Sequence, residues 1–130
     1  MKAKYSVALS LVAGFALGAG AIHGLSAAAS PPAYTVAEIA VKDEDGYKKE
    51  FLPSAQKLIA DNGGKYVAGG FNKTWAMTGA EPANRVVILQ FESMDKVKAW
   101  YDQGGGRDIE RKVGDKYATF RVFAVEGVAQ

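Results

Sequence analysis

The sequence contains no cysteine, and its single histidine, His23, lies inside an apolar N-terminal stretch. The first absence excludes a disulfide framework, a thiolate metal site and a thiol nucleophile. The second removes from the rest of the chain the usual haem ligand, zinc donor and acid–base catalyst. A Ser–His or Cys–His nucleophile cannot be assembled there. No metal and no cofactor is therefore expected. Charge of one sign is missing too. The 16 Lys and Arg include Lys2 and Lys4 in an acid-free leader, and the remainder balances the 14 Asp and Glu. A neutral domain with dispersed charges has no electrostatic footprint for nucleic acid, and no nucleic-acid partner is expected.

What is present begins with a short basic end, residues 1–6, followed by the apolar stretch Val7 to Ile22 and the small residues Ser26 to Ala29. That order marks residues 1–29 as a secretory signal peptide, with cleavage after Ala28 or Ala29, and places the protein in the periplasm or outside the cell. The apolar stretch is shorter and richer in glycine than the roughly 20 residues a spanning helix needs. The alternative is an uncleaved N-terminal anchor, the only route by which this chain would touch a membrane. Residues 30–33, with Pro31 and Pro32, read as a linker, and residues 34–128 as a single domain.

The domain is organised around Arg85 to Phe91 (RVVILQF), an apolar run of strand length rich in β-branched residues. Ser93 is a good N-cap after it, and Asp95 favours the positive end of a helix on which Val97, Trp100 and Tyr101 recur at helical spacing. Upstream, Tyr34 to Val41 reads as the first strand. Asp43 caps a helix with the inner stripe Tyr47, Phe51, Ala55, Leu58 and Ile59, which Pro53 should kink or restart. Asn62, Gly63 and Gly64 stop that helix. Lys65 to Ala68 begins a second strand, Gly69 and Gly70 suggest a bulge or bend, and Thr74 to Thr78 is expected to resume pairing. After Trp100-Tyr101, Gly104, Gly105 and Gly106 interrupt the helix, a short helical piece follows near Asp108 to Val113, and Tyr117 to Val125 is the last strand. The order is β-α-β-β-α-β, a ferredoxin-like α+β fold with a four-stranded antiparallel sheet.

The helices cover one face of such a sheet. Yet both alternating sets of the first and last strands hold large apolar residues: Val36 against Ile39 and Val41, and Phe123 and Val125 against Phe120 and Val122. An open face in water should alternate with polar residues. Sheet-on-sheet packing in a homodimer is the simplest cover.

Several short pieces, taken in order, resemble a known family. They are Asp45 with Tyr47, Gly63-Gly64-Lys65-Tyr66, Arg85-Val86-Val87-Ile88, Phe91 with Ser93, Trp100-Tyr101 and Val125-Glu126-Gly127. Together they resemble the family called domain of unknown function 1330, in the dimeric alpha-beta barrel superfamily. The resemblance implies two ferredoxin-like protomers closing a barrel with a pocket in each, and it implies no reaction. The chain departs from the family pattern at Gln103 to Gly106, where relatives carry a Ser-Pro segment, and at Lys65, where arginine is common. Leu89 and Gln90 stand where an acid is common late in the central strand. Charge-based sites of relatives are therefore not carried over.

Two functional readings remain, with a purely structural envelope role as a third. In the first, the domain binds a small apolar or aromatic molecule between sheet and helices, with Asn72, Trp75, Gln90, Trp100 and Tyr101 as candidate contacts. In the second, it is a cofactor-independent enzyme of the monooxygenase or isomerase kind. Superfamily relatives of that kind place Trp, Asn and Tyr around the substrate, and Asn72, Trp75, Tyr66 and Tyr101 imitate that set. Glu38, on a strand with apolar neighbours, and Arg85 form the candidate catalytic pair, with Tyr66 beside them. The plainer alternatives are that the aromatics are core or interface residues and that a buried Glu–Arg pair is structural. Gly104-Gly105-Gly106-Arg107 resembles a phosphate loop only superficially. It lacks the Lys-Ser/Thr ending and the preceding strand, and reads as a flexible loop at a pocket rim.

Overall fold

A computed structural model describes residues 30–129. The leader expected over residues 1–29, with His23, lies outside them. Strand β1 (Ala33–Val41) leads into a single turn, α1 (Glu44–Gly46). The Asp43 side chain caps that turn by accepting from the Gly46 N–H at 3.0 Å. A π-helical turn, Tyr47–Phe51, follows, and α2 (Leu52–Asp61) continues from it. Pro53 explains the restart. It has no N–H to bond the carbonyl four residues back, and the Leu52 N–H reaches five back to Tyr47 instead. The wide turn also has a packing consequence. Residues spaced by four drift about 40° per step around an α-helix. The extra residue in the π turn counter-rotates the chain, so that Tyr47, Phe51, Ala55 and Ile59 all stay buried.

Strand β2 (Lys65–Phe71) pairs with β3 (Arg85–Phe91), which ends two residues before Ser93. As expected, Ser93 accepts from the Lys96 N–H at 3.2 Å and starts α3 (Met94–Asp102). After the glycines come α4 (Gly106–Lys112), a 3-10 turn (Gly114–Lys116) and β4 (Ala118–Glu126). The sheet is antiparallel in the order β2-β3-β1-β4, the ferredoxin-like arrangement. Among the described residues no helix is long and apolar enough to cross a membrane.

One expectation fails in the β2–β3 hairpin. Thr74 to Thr78 does not resume pairing, and residues 72–84 form an exposed loop. Hydrogen bonds hold it at its ends. The Asn72 N–H donates to the Asn84 carbonyl at 2.8 Å, and Asn84 in turn exchanges bonds of 2.8 and 3.0 Å with the backbone of Val41. The register shift in β2 falls at Val67, between Tyr66 and Ala68, two residues before the glycine pair, whose φ values are both positive. Gly69 does another job. Its φ is +99°, and a Cβ there would overlap the Val86 carbonyl oxygen, so only glycine lets the strands approach this closely.

Burial alternates along the strands. Arg85, Val87, Leu89 and Phe91 of β3 and Thr35, Ile39 and Val41 of β1 face the helices. Two core clusters form there. One joins Phe91, Trp100, Leu89 and Ile59, with the Phe91 and Trp100 rings stacked 5.2 Å apart. The other joins Tyr47, Phe51, Ile39 and Ala118. Each buried aromatic contributes about 1.5–3 kcal/mol by leaving water. The opposite face carries Val36 and Ile88, with Phe123 and Val125 at 45% and 49% exposure.

Candidate functional site

Between the two clusters, beneath the sheet, the packing leaves a cavity of about 70 Å³. Native cores hold few voids larger than a water molecule, so a gap of this size is a feature of the fold. Its walls are mostly apolar: Ile39 and Val87 from the sheet, Phe51 and Ala55 from the first helical region, Phe120 and Val122 from β4. The π turn contributes by holding Tyr47 and Phe51 inward at one end.

Polar atoms in the wall are few and incompletely satisfied. Thr35 Oγ1, Arg85 Nε and Trp100 Nε1 are fully buried with no hydrogen-bond partner, and all three residues line this cavity. Such groups are rare in native cores, because each unmet donor costs roughly 1–3 kcal/mol. Arg85 is the sharpest case. It is 7% exposed, and among the described residues it forms no salt bridge. Its guanidinium lies 4.8 Å from the Phe71 ring centre and 5.7 Å from that of Tyr47, contacts that stabilise a cation but do not neutralise it.

The Tyr47 and Tyr66 hydroxyls share this end. Burial raises both pKa values, and the Arg85 charge and its hydrogen bonds to the two hydroxyls only partly oppose it. Both tyrosines are therefore protonated at neutral pH and able to donate. At the far side Glu110 of α4 lines the cavity and accepts from the Tyr101 hydroxyl at 3.1 Å. Burial raises the Glu110 pKa, with the Tyr101 hydrogen bond opposing.

The expected Glu38–Arg85 pair does not form. Arg85 stands opposite Ile39 in the β1–β3 register, whereas Glu38 stands opposite Val86. The two side chains therefore leave opposite faces of the sheet. Glu38 accepts from the Ala83 N–H at 2.9 Å and so helps hold the exposed loop. The carboxyl that shares the cavity with Arg85 is Glu110, which sequence reasoning missed. Its place one turn beyond Gly106 on a short helix was the available signal.

The other candidates divide. Trp100 and Tyr66 line the cavity, and Tyr101 reaches it through Glu110. Trp75 is 81% exposed in the 72–84 loop, away from the cavity. Asn72 is a turn residue with φ of +55°. Gln90 points to the other sheet face, opposite Tyr34 and Lys65. The glycine run is an ordered helix-to-helix turn. The Gly104 N–H closes α3 on the Ala99 and Trp100 carbonyls, at 2.8 and 3.1 Å, and Gly106 sits where a Cβ would meet the Trp100 indole at 2.9 Å. Arg107 pairs with Asp102 and lies over the Tyr101 ring, so it is not a free cation for a phosphate. Among the described residues no cluster of acids or histidines is placed to hold a metal.

Strand order, one-sided helices and a cavity beneath the sheet define a ferredoxin-like α+β protein with a hollow between its two layers. The chain belongs to the family described as domain of unknown function 1330, whose profile matches residues 32–128. Its backbone is similar to that of a protein of unknown function from Rhodopseudomonas palustris, with a TM-score of 0.59 and 13% identity over 84% of this chain and 92% of that one. A methylated form of that protein aligns with a TM-score of 0.57 and 14% identity, over 89% and 96% of the two chains. An EthD-like protein from Ralstonia eutropha aligns with a TM-score of 0.49 and 14% identity, over 78% and 96%. At these identities the likeness concerns the fold alone. No curated protein sequence matches the chain.

Proposed function

We propose that this protein is an exported homodimer that binds a small, largely apolar molecule in the cavity between sheet and helices. The observation that carries the binding reading is the cavity itself, an apolar-walled gap of about 70 Å³ between two otherwise well-packed clusters. Dimerisation is supported by the uncovered sheet face, where Phe123 and Val125 stand about half exposed beside Val36 and Ile88. A contiguous apolar patch of that kind is covered in a stable assembly. Export, to the periplasm or beyond, is supported by the charged, apolar and small-residue order of residues 1–29.

A second reading, a cofactor-free enzyme of the isomerase kind, is favoured by one specific observation. Glu110, with its pKa raised by burial, faces the same cavity as Arg85. A carboxyl that can exchange a proton and a cation that can hold a developing oxyanion are the minimum for enolisation. Native mass spectrometry of the exported protein tests the main reading. A dimer with extra mass per protomer is expected, and a bare, folded monomer at micromolar concentration would sink both the assembly and the resident ligand. Loss of turnover with retained ligand in Glu110→Gln would move the assignment to the enzyme.

A further inference from the structure

Arg85 and its neighbours bring three hydrogen-bond donors to one end of the cavity, with no acceptor for them to share. The Arg85 Nε–H is buried without a partner, and among the described residues no carboxylate lies within ion-pair reach of the guanidinium. The Tyr47 and Tyr66 hydroxyls bond to the same guanidinium. A guanidinium can only donate, so both hydroxyls accept there, and each keeps its own proton for a third group. Charge runs the same way. The Phe71 ring has Arg85 at 4.8 Å and Lys48 at 4.9 Å, and Lys48 is paired with Glu44. Arg85 is the cation left over.

Nothing else in the cavity fills that place. Glu110 accepts from the Tyr101 hydroxyl at 3.1 Å and lies among Arg107, Arg111 and Asp115. The other two unpartnered atoms are also remote. Thr35 lies four residues back along β1 from Ile39, the register partner of Arg85, about 13 Å away by strand rise. Trp100 stacks on Phe91, at the opposite end of β3 from Arg85. A small ligand on Arg85 reaches neither.

An unpaired buried guanidinium calls for an anion, and the edge that carries Nε grips a carboxylate with two parallel bonds. The cavity of about 70 Å³ has room for on the order of two waters at ~30 Å³ each. An anion of three or four heavy atoms takes up that space, and one the size of benzoate does not fit. Beyond the donors the wall is apolar, with Ile39, Ala55 and Val87. It suits a hydrogen or a methyl group on the far side of the anion, whereas a hydroxyl there would be buried without an acceptor. Tyr66 lines the cavity yet is 42% exposed, so its ring stands at the mouth.

The geometry points to a one- or two-carbon carboxylate, formate or acetate, as the ligand class of this cavity, held on Arg85 with the Tyr47 and Tyr66 hydroxyls as further donors. The assignment rests on the reading of the cavity as a binding site, the apolar part of the ligand being no larger than a methyl group. Acetate, bicarbonate, benzoate and neutral acetamide, which has the shape of acetate, are each titrated into the exported protein at constant ionic strength in chloride. Binding is read at the Arg85 Nε–H proton resonance, Arg85 being the sole buried arginine among the described residues. In the variants it is read at the backbone amides of β3, and the Trp100 indole N–H is the distant control.

Acetate should shift the Arg85 resonance and saturate, with acetamide weaker by about tenfold or more, as expected for loss of a charge-assisted bond. Bicarbonate should bind more weakly than acetate, and benzoate should leave the resonance unmoved. Arg85→Met should bring acetate down to the level of acetamide, and Tyr47→Phe should weaken it a few-fold. Should Arg85→Met not fold, Arg85→Lys keeps the charge, loses the two-pronged edge, and must place acetate between wild type and acetamide. If acetamide matches acetate, if bicarbonate or benzoate binds tightest, or if the arginine variants leave acetate unaffected, the carboxylate assignment is wrong while the binding cavity stands. A response at Trp100 in place of Arg85 overturns it equally. If no probe moves either resonance, water satisfies the donors and the anion site falls, whereas the binding reading is decided separately by the extra mass in native mass spectrometry.

Discussion

Replacing Arg85 with methionine should make the protein more stable. Arg85 is 7% exposed, lacks a carboxylate partner among the described residues, and has an unbonded Nε. Holding such a charge out of water costs several kcal/mol even after relaxation. Against that stand two aromatic faces, Phe71 at 4.8 Å and Tyr47 at 5.7 Å, worth up to about 2 kcal/mol each when desolvated. Methionine keeps the apolar stem and fills most of the volume with no charge to bury. The balance favours the variant by about 1–3 kcal/mol, within the range found when buried charges give way to packed apolar groups. For a domain of this size each kcal/mol moves Tm by about 4–8 °C. Urea unfolding of wild type and Arg85→Met, read at equal m-values, measures the difference directly. A variant less stable than wild type by more than about 1 kcal/mol would refute the reasoning, because Arg85 would then be a structural cation satisfied by its aromatic neighbours.

Other outcomes follow from single contacts. Gly69→Ala places a side chain at φ of +99° against the Val86 carbonyl, and should cost at least about 2 kcal/mol in chemical unfolding. Glu110 has its folded pKa raised above the ordinary 4.5, so its stabilising contribution is complete below that value and is lost as pH rises through the folded pKa. Glu110→Gln should therefore unfold at higher temperature than wild type at neutral pH, and the two melting curves should converge in acid. Phe123→Lys, on the open sheet face, should convert the proposed dimer to a folded monomer in sedimentation, with an unchanged far-ultraviolet spectrum.

Much of the fold was legible along the chain. Arg85 to Phe91 is a strand because it is an unbroken β-branched run, and it ends where Ser93 caps the next helix. The stripe from Tyr47 to Ile59 and the break at Pro53 likewise depend on neighbours a few residues apart. These are local rules of period, capping and missing donors, and a sequence states them directly. The loop at residues 72–84 escapes such rules, because the β propensity of Thr74 to Thr78 meets no strand to pair with.

The site was of another kind. Glu38 and Arg85 both look inward from apolar strands, yet the register places them on opposite faces, and a shift of one residue would bring them to the same one. Glu110, Thr35 and Arg85 are far apart in the chain and line one cavity only because two core clusters fail to close on each other. The elements, their order and the absence of thiol and histidine chemistry from the domain were all settled by the chain read residue by residue. Which polar groups face one another was settled only on folding, because strand pairing and the volume left between packed layers are properties of distant segments taken together.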